Sequence, residues 1–275
     1  MVSLIIPTCN RNDLLAQCLD RLDPAFQSVN RTEYEIIVTD DSKEIAASDL
    51  IKTHYSNVKW AKGPGKGPAA NRNNGAKHAK GKWLVFIDDD CLPSKNFISA
   101  YQQAIADNKD ILAFEGKITA GNCPVSLLDE APLNEKGGYF WSCNIAINRL
   151  FFEKIGMFDE TFPYAAMEDV DLFYRIKKVT DRYLFVPAAE VAHPYRTNKK
   201  LVRSAIQRHA SIMLYLKKHP EEKARLNFRN HIKRFIKTRP KLLKLAFKYR
   251  FNGAWTKLKA DTVWFFLGFK YLYKR

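Results

Sequence analysis

The chain has 275 residues, 46% of them hydrophobic and 13% aromatic, which excludes wholesale disorder and suits one domain of about 200 residues with an appendage, or two small domains. Its net charge of +16 is uneven: residues 1–198 hold 23 Lys and Arg against 26 Asp and Glu, net −3, whereas residues 199–275 hold 22 against 3, net +19. Five scattered cysteines (Cys9, Cys18, Cys91, Cys123, Cys143), odd in number and without a CxxC pair, argue against a disulfide framework or a zinc site and fit a reducing cytoplasm.

The opening "VSLIIPT" is a short β-rich apolar run, and "RNDLLAQCLDRL" follows with Leu14, Leu15, Cys18, Leu19 and Leu22 at helical spacing. The start lacks the basic and apolar regions of a signal peptide, since Pro7 and Asn10 interrupt it early. "YEIIVTDD" and "NVKWAKG" predict two further strands; a glycine- and proline-rich stretch, "GPGKGPAANRNNGAKHAKG", leads into a fourth, "KWLVFIDDD". Strands alternating with helical patterns predict βαβ units and an α/β fold with a mostly parallel sheet.

Beyond it, "LPSKNFISAYQQAI" reads as a helix, "ILAFEGKIT" leads into loop-like residues 121–138, and "GGYFWSCNIAINRLFFEKIGMFDE" reads as a strand and a helix stopping near Gly156. "YAAMEDVDLFYRIKK" predicts a helix whose first turn carries Glu168 and Asp169, where the helix dipole favours negative charge. "RYLFVPAAEVAHPY" predicts a last strand ending in His193. From about Lys199 the composition turns basic and aromatic, with Leu242, Leu245, Ala246 and Tyr249 on one helical face and Lys241, Lys244 and Lys248 nearby. Two domains follow from this: residues 1–198, and a basic amphipathic helical extension over 199–275.

Three acidic clusters carry the chemistry: Asp40 and Asp41; Asp88, Asp89 and Asp90; and Glu168, Asp169 and Asp171. Each alone has a bland explanation, since two acids after a strand are often an exposed turn and an acidic helix start is often solvated. In an open α/β sheet, however, ligands sit at the carboxyl ends of the strands, so the first two clusters converge on one crevice. Aspartates crowded there call for a cation, and hard divalent ions such as Mg²⁺ or Mn²⁺ take carboxylate oxygens while substrate phosphates fill other positions.

The segments "VSLIIPTCNR", "EIIVTDDS", "GPAANRNNGAKHAKGKWLVFIDDDCLP", "CNIAINRLFFEKIGMFDETF", "EDVDLFYR" and "AHPYR", in this order, resemble the family 2 glycosyltransferases, enzymes of the GT-A fold, over residues 2 to about 196. The resemblance implies that Pro7, Thr8, Asp40 and Asp41 lie against the nucleotide of a nucleotide-sugar donor, a UDP-sugar being favoured, and that Arg72 and Asn73 lie over it. It implies a DxD motif in Asp88 and Asp90, with Asp89 between them on the nucleotide-sugar side, Asp90 coordinating Mn²⁺ or Mg²⁺ together with His193, and Asp88 at the metal site through the ribose or a bound water. One member of the pair Glu168 and Asp169 is then the general base, Asp169 being favoured, and Tyr139 and Trp141 lie near the acceptor. The implied reaction is inverting sugar transfer to a saccharide or lipid-linked saccharide in surface polysaccharide or glycan synthesis.

The tail admits an anionic membrane surface, a nucleic acid, or packing on the catalytic domain or a second copy. Trp255, Trp264, Phe265, Phe266, Phe269, Tyr271 and Tyr273 exceed what a solvated face needs, so a peripheral position on the inner face of the cell membrane is expected, with no nucleic acid. A membrane span is not expected, because "TVWFFLGF" is far below the ~20 residues required. Two other classes are kept as alternatives: a sugar-phosphate nucleotidyltransferase, although "IPTCNR" lacks that class's glycine-rich opening, and a nucleic-acid binding protein with a degenerate catalytic body.

Overall fold

In the computed structural model of the chain, β1 (Val2–Thr8) is buried along its whole length, as a strand covered on both faces must be. Backbone is described for residues 1–225 and 228–273, and side chains except those of 224–231, 234 and 271–275, so Tyr271 and Tyr273 lie outside the described side chains. After β1 come α1 (Asn12–Asp20), α2 (Pro24–Gln27), β2 (Tyr34–Asp40), α3 (Ser48–His54), β3 (Val58–Lys62), α4 (Pro68–His78), β4 (Trp83–Ile87), β5 (Leu92–Pro93), α5 (Phe97–Asp107), β6 (Ala113–Ala120) and β7 (Asp129–Glu130). The chain continues through β8 (Asn144–Asn148), α6 (Arg149–Lys154), α7 (Glu168–Val179), β9 (Tyr183–His193), β10 (Arg196–Thr197), α8 (Leu201–Lys218), α9 (Phe228–Lys248) and α10 (Ala254–Tyr273).

Two units result. The first comprises Met1–Gly121 and Pro132–Pro194, the second Asn122–Ala131 and Tyr195–Arg275. The first is built on a sheet of order β3-β2-β1-β4-β8-β6-β9-β5. Strands β3 to β4 are parallel, β6 is parallel to β9, and β8 and β5 are antiparallel to their neighbours. The α/β class expected from the strand and helix alternation is the one observed, with one antiparallel strand, β8, inserted and another, β5, at the edge.

The period of two in the strands divides the apolar side chains between the two faces. Leu4, Ile6, Ile36, Val38, Val85 and Ile87 pack with Leu15 and Leu19 of α1 and Phe97 of α5. Ile5, Ile37, Leu84, Phe86, Ile145 and Ile147 pack on the other side with α4, α6 and α7. Each such fully buried side chain contributes about 1.5–3 kcal/mol relative to exposure. The glycine- and proline-rich stretch contains α4, which opens on Pro68, where a missing N–H costs nothing. Gly75 on it lies so close to the sheet that a Cβ would run into Ile5 and Thr39.

In the second unit β7 and β10 form a two-stranded antiparallel ribbon, and Leu201, Ala205 and Ala260 form a small core with Leu128, Val202 and Trp264. Arg208 grips Glu130 with two hydrogen bonds of 2.8 Å. Among the described residues no helix is long and apolar enough to cross a membrane.

Candidate active site

Because β1, β2 and β4 are adjacent and parallel, Thr8, Asp40 and the aspartates after Ile87 emerge at one edge of the sheet. β5 then pairs with the end of β9, Leu92 opposite Ala192, which carries His193 to the same edge. The three aspartates do not share one environment, and two guanidinium groups relieve their repulsion. Asp88 Oδ1 accepts from Arg72 Nη2 at 2.7 Å. Asp89, fully buried, accepts from Thr8 Oγ1 at 2.7 Å and is ion-paired with Arg11, whose Nη2 lies 2.6 Å from its Oδ1. Asp90 is buried, with Arg11 Nη1 at 3.7 Å and His193 Nε2 at 3.4 Å. Burial alone would raise the Asp88 pKa, but Arg72 outweighs it and holds the carboxyl below the usual range. Asp89, where burial outweighs the pull of Arg11 and Thr8, is pushed up to about 7.

Arg72 links the two acidic clusters. It lies on α4 and is itself buried; its Nη1 reaches Glu168 Oε1 at 3.1 Å while its Nη2 holds Asp88. Loss of hydration would lower its pKa, but Asp88 and Glu168 more than compensate and raise it. Helix α7 starts directly after Met167, whose left-handed backbone (φ 78°) turns the chain so that the first helical turn opens on Glu168 and Asp169. Burial, then the charge of Asp169, push Glu168 up to about 7 against the pull of Arg72. Asp169 is also raised by burial, offset by Arg72 and by the N–H of Val170, which donates to it at 2.8 Å. Of the two, Glu168 is 4% exposed and tied to Arg72, whereas Asp169 is only half-buried.

The Asp90 and His193 pair suits a divalent cation. The Pro194 carbonyl, 3.0 Å from His193 Nδ1, can only accept, so Nδ1 carries a proton and Nε2 is the ring nitrogen that faces Asp90. An imidazole nitrogen and a carboxylate oxygen at this distance can share a proton or bind one metal ion. Cys91 Sγ lies within 4.8 Å of both ligand atoms, but burial raises its pKa well above the ordinary value and it donates to the Cys143 carbonyl. The donor set is therefore one carboxylate oxygen and one imidazole nitrogen, with the thiol beside them kept protonated.

The remaining expected residues fall into different places. Asp40 is buried and its carboxylate accepts from Ser42 N, Ala47 N and Trp60 Nε1, so it shapes the loop after β2. Asp41 is more open and accepts from Gly65 N at 2.7 Å, its pKa raised by burial. Pro7 is buried opposite Thr39 in the β1 and β2 register. Asn73 is not directed at the crevice: its amide is held by Phe158 O at 2.8 Å, Glu160 Oε1 and Phe158 N. Tyr139 and Trp141 stack on each other at 4.6 Å and 26°, Tyr139 being 53% exposed.

Three residues of this region do not stand out in the sequence. Arg11, just after the first strand, supplies the cation nearest the aspartate triplet. Asn71 joins the ends of β1 and β2 through Thr8 O and Thr39 O. Buried Glu115 accepts from Gly138, Tyr139 and Phe140 N–H and from Asn134, and so sets the loop that carries the stacked aromatics. The hint in the sequence for Glu115 is an acid in the middle of a largely apolar strand, "ILAFEGKIT".

With sheet, crevice and acidic pairs in place, the chain belongs to glycosyl transferase family 2, whose model matches residues 3–166. It is 32% identical over 136 residues to the poly(ribitol-phosphate) beta-glucosyltransferase of Bacillus spizizenii, an alignment covering 47% of this chain and 21% of that protein. The first curated relatives it matches are longer, and the chain spans 21% to 51% of their length. The fold is shared with the mannosyltransferase PcManGT of Pyrobaculum calidifontis, solved with GDP-Man and Mn²⁺, at a TM-score of 0.62, 16% identity and coverage of 98% of this chain and 86% of that one. It is also shared with S. aureus TarS 1-349 in complex with UDP-GlcNAc, at a TM-score of 0.57, 16% identity and coverage of 100% and 92%.

Proposed function

We propose that the first unit transfers a sugar, with inversion, from a nucleotide-diphosphate sugar to a hydroxyl of a saccharide or lipid-linked saccharide in surface glycan synthesis. The observation that carries this reading is the chain Asp88, Arg72, Glu168, which ties the strand-end aspartates and the helix-start acids into one crevice through a single buried cation. A UDP-sugar is the favoured donor, in keeping with the UDP-GlcNAc complex of TarS, while the GDP-Man complex of PcManGT makes a GDP-sugar the first competitor.

In this reading Asp169 takes the proton from the acceptor hydroxyl. The acceptor oxygen forms its bond to the anomeric carbon on one face as the bond to the diphosphate oxygen breaks on the other. Such general-base help contributes about 10²- to 10⁴-fold. Glu168, locked to Arg72, positions rather than reacts, and Arg72 in turn fixes Asp88. Asp90 and His193 would hold the divalent ion, which when bound supplies positive charge against the departing diphosphate. An imidazole beside a carboxylate suits Mn²⁺ better than Mg²⁺.

The test is release of nucleoside diphosphate from UDP-, GDP- and dTDP-sugars with Mn²⁺, paired with thermal shift, since a ligand that binds only the folded state raises its stability. Turnover in the wild type, and turnover lowered by orders of magnitude in Asp90→Ala and Asp169→Asn, is expected. Full turnover in excess EDTA would remove the metal from the reading. Pyrophosphate formation from a nucleoside triphosphate and a sugar phosphate would replace transfer with nucleotidyl chemistry.

A further inference from the structure

The second unit displays its apolar side chains in an ordered pattern, and we infer that α9 and α10 form a docking surface for an anionic lipid bilayer. On α9, Ile236, Pro240, Leu243 and Phe247 follow one another at steps of four, three and four residues and therefore form one stripe. Lys237, Lys241, Lys244 and Lys248 repeat the same steps one residue later, an exposed basic stripe about 100° around the helix. Arg250 and Phe251, both left-handed at φ 49° and 60°, then reverse the chain into α10.

The reversal brings the two helices' apolar residues together. Leu243, Phe251, Trp255 and Leu258 line one groove of about 630 Å³, whose walls are otherwise Pro240, Leu242, Ala246, Ala254 and Arg239. These side chains are left in water, Trp255 being 78% exposed, Leu243 57%, Phe251 55% and Leu258 41%, as is Phe247 of the α9 stripe at 64%. They are not required by the unit's own core, which uses Leu201, Ala205, Ala260 and Trp264 instead. Of the aromatics that stand out in the tail, Trp255 and Phe266 are thus displayed, while Trp264 packs inward.

Charge decides the occupant. A nucleic acid would satisfy the lysines and leave the Trp255 to Leu258 groove in water. A second copy would cover the groove but set two strongly basic units of like charge against each other. An anionic leaflet answers both stripes at once: acyl chains receive the apolar side chains, and lipid phosphates receive Lys237, Lys241, Lys244 and Lys248. This inference stands apart from the transfer reaction and would survive its failure.

The experiment is vesicle co-sedimentation of the full chain. Binding to mixed phosphatidylglycerol and phosphatidylcholine vesicles, and far weaker binding to pure phosphatidylcholine, is expected. Phe247→Ser with Trp255→Ser should lower the partition at least about tenfold, since each removes an aromatic side chain that the acyl chains would bury. Lys244→Glu with Lys248→Glu should lower it by about fivefold or more per lysine and flatten its salt dependence. Circular dichroism establishes that each variant keeps its helices. Equal binding of both variants and wild type would overturn the inference. So would tight duplex DNA binding without vesicle binding, or a dimer that dissociates in the Trp255→Ser variant while vesicles stay unbound.

Discussion

Arg72 in the first unit and Lys244 in the second carry the same formal charge and are used in opposite ways. Arg72 is 5% exposed and held between two carboxylates, in a unit where 22 Lys and Arg meet 24 Asp and Glu. Lys244 is exposed, in a unit where 23 meet 5. Buried charges must be matched locally, because an uncompensated ion in a dry interior is expensive, and matching confines them to a crevice where they can act on a substrate. Exposed charges need no local partner, so an excess can accumulate and act at a distance on a surface of opposite sign.

This contrast can be broken by removing charges one at a time. The largest effect is expected at the half-buried Asp169: Asp169→Asn should lower sugar transfer by about 10²- to 10⁴-fold in initial-rate assays with little change in unfolding midpoint. Next is Arg72→Met, which strands Asp88 and Glu168; urea unfolding should show a loss of about 3–5 kcal/mol, the range for breaking a buried pair by removing one partner. If Arg72→Met folds as stably as wild type, the crevice is not organised around that cation.

Glu168 sharpens the comparison through pH. Its folded pKa is raised to about 7, against ~4.3 in an unfolded chain. Between these values the folded protein holds a proton that the unfolded chain has released, so stability is greatest below the lower value and falls as pH rises through the upper one. The loss is on the order of 3 kcal/mol, and Glu168→Gln, which cannot ionise, should flatten the change in urea midpoint over that window. In the second unit Arg208→Ala should lower stability by only ~0.2–1 kcal/mol, since Arg208 is 47% exposed in its pair with Glu130. Smallest of all is Lys244→Ala, with less than about 0.5 kcal/mol change in stability; only its vesicle binding should respond.

Much of the first unit was legible from pattern. The runs "VSLIIPT", "YEIIVTDD" and "KWLVFIDDD" are strands because buried parallel strands must be apolar on both faces, and "EDVDLFYRIKK" is a helix because its apolar positions recur at helical spacing. Helix α4 was hidden because glycine and proline dominate its local statistics, while its stability comes from lying close on β1 and β2. Residues 122–131 give no compositional sign that they belong with the C-terminal unit, where Leu127 N donates to Asn252 O. Asp40 and Asn73 look alike in sequence to residues that face a ligand, yet hydrogen bonds turn both to holding loops.

The sequence by itself determined which residue types are available and in what periodicity: an α/β body, acidic strand ends, an acidic helix start, and a basic aromatic tail. Only the tertiary structure decided which of them meet. Arg72 and Glu168 are 96 positions apart, Thr8 and Asp89 81, and no local pattern encodes such a distance. Burial then assigns their roles, because an ionised group removed from water must find its partner in the fold, whereas one left in water remains available to a partner outside it.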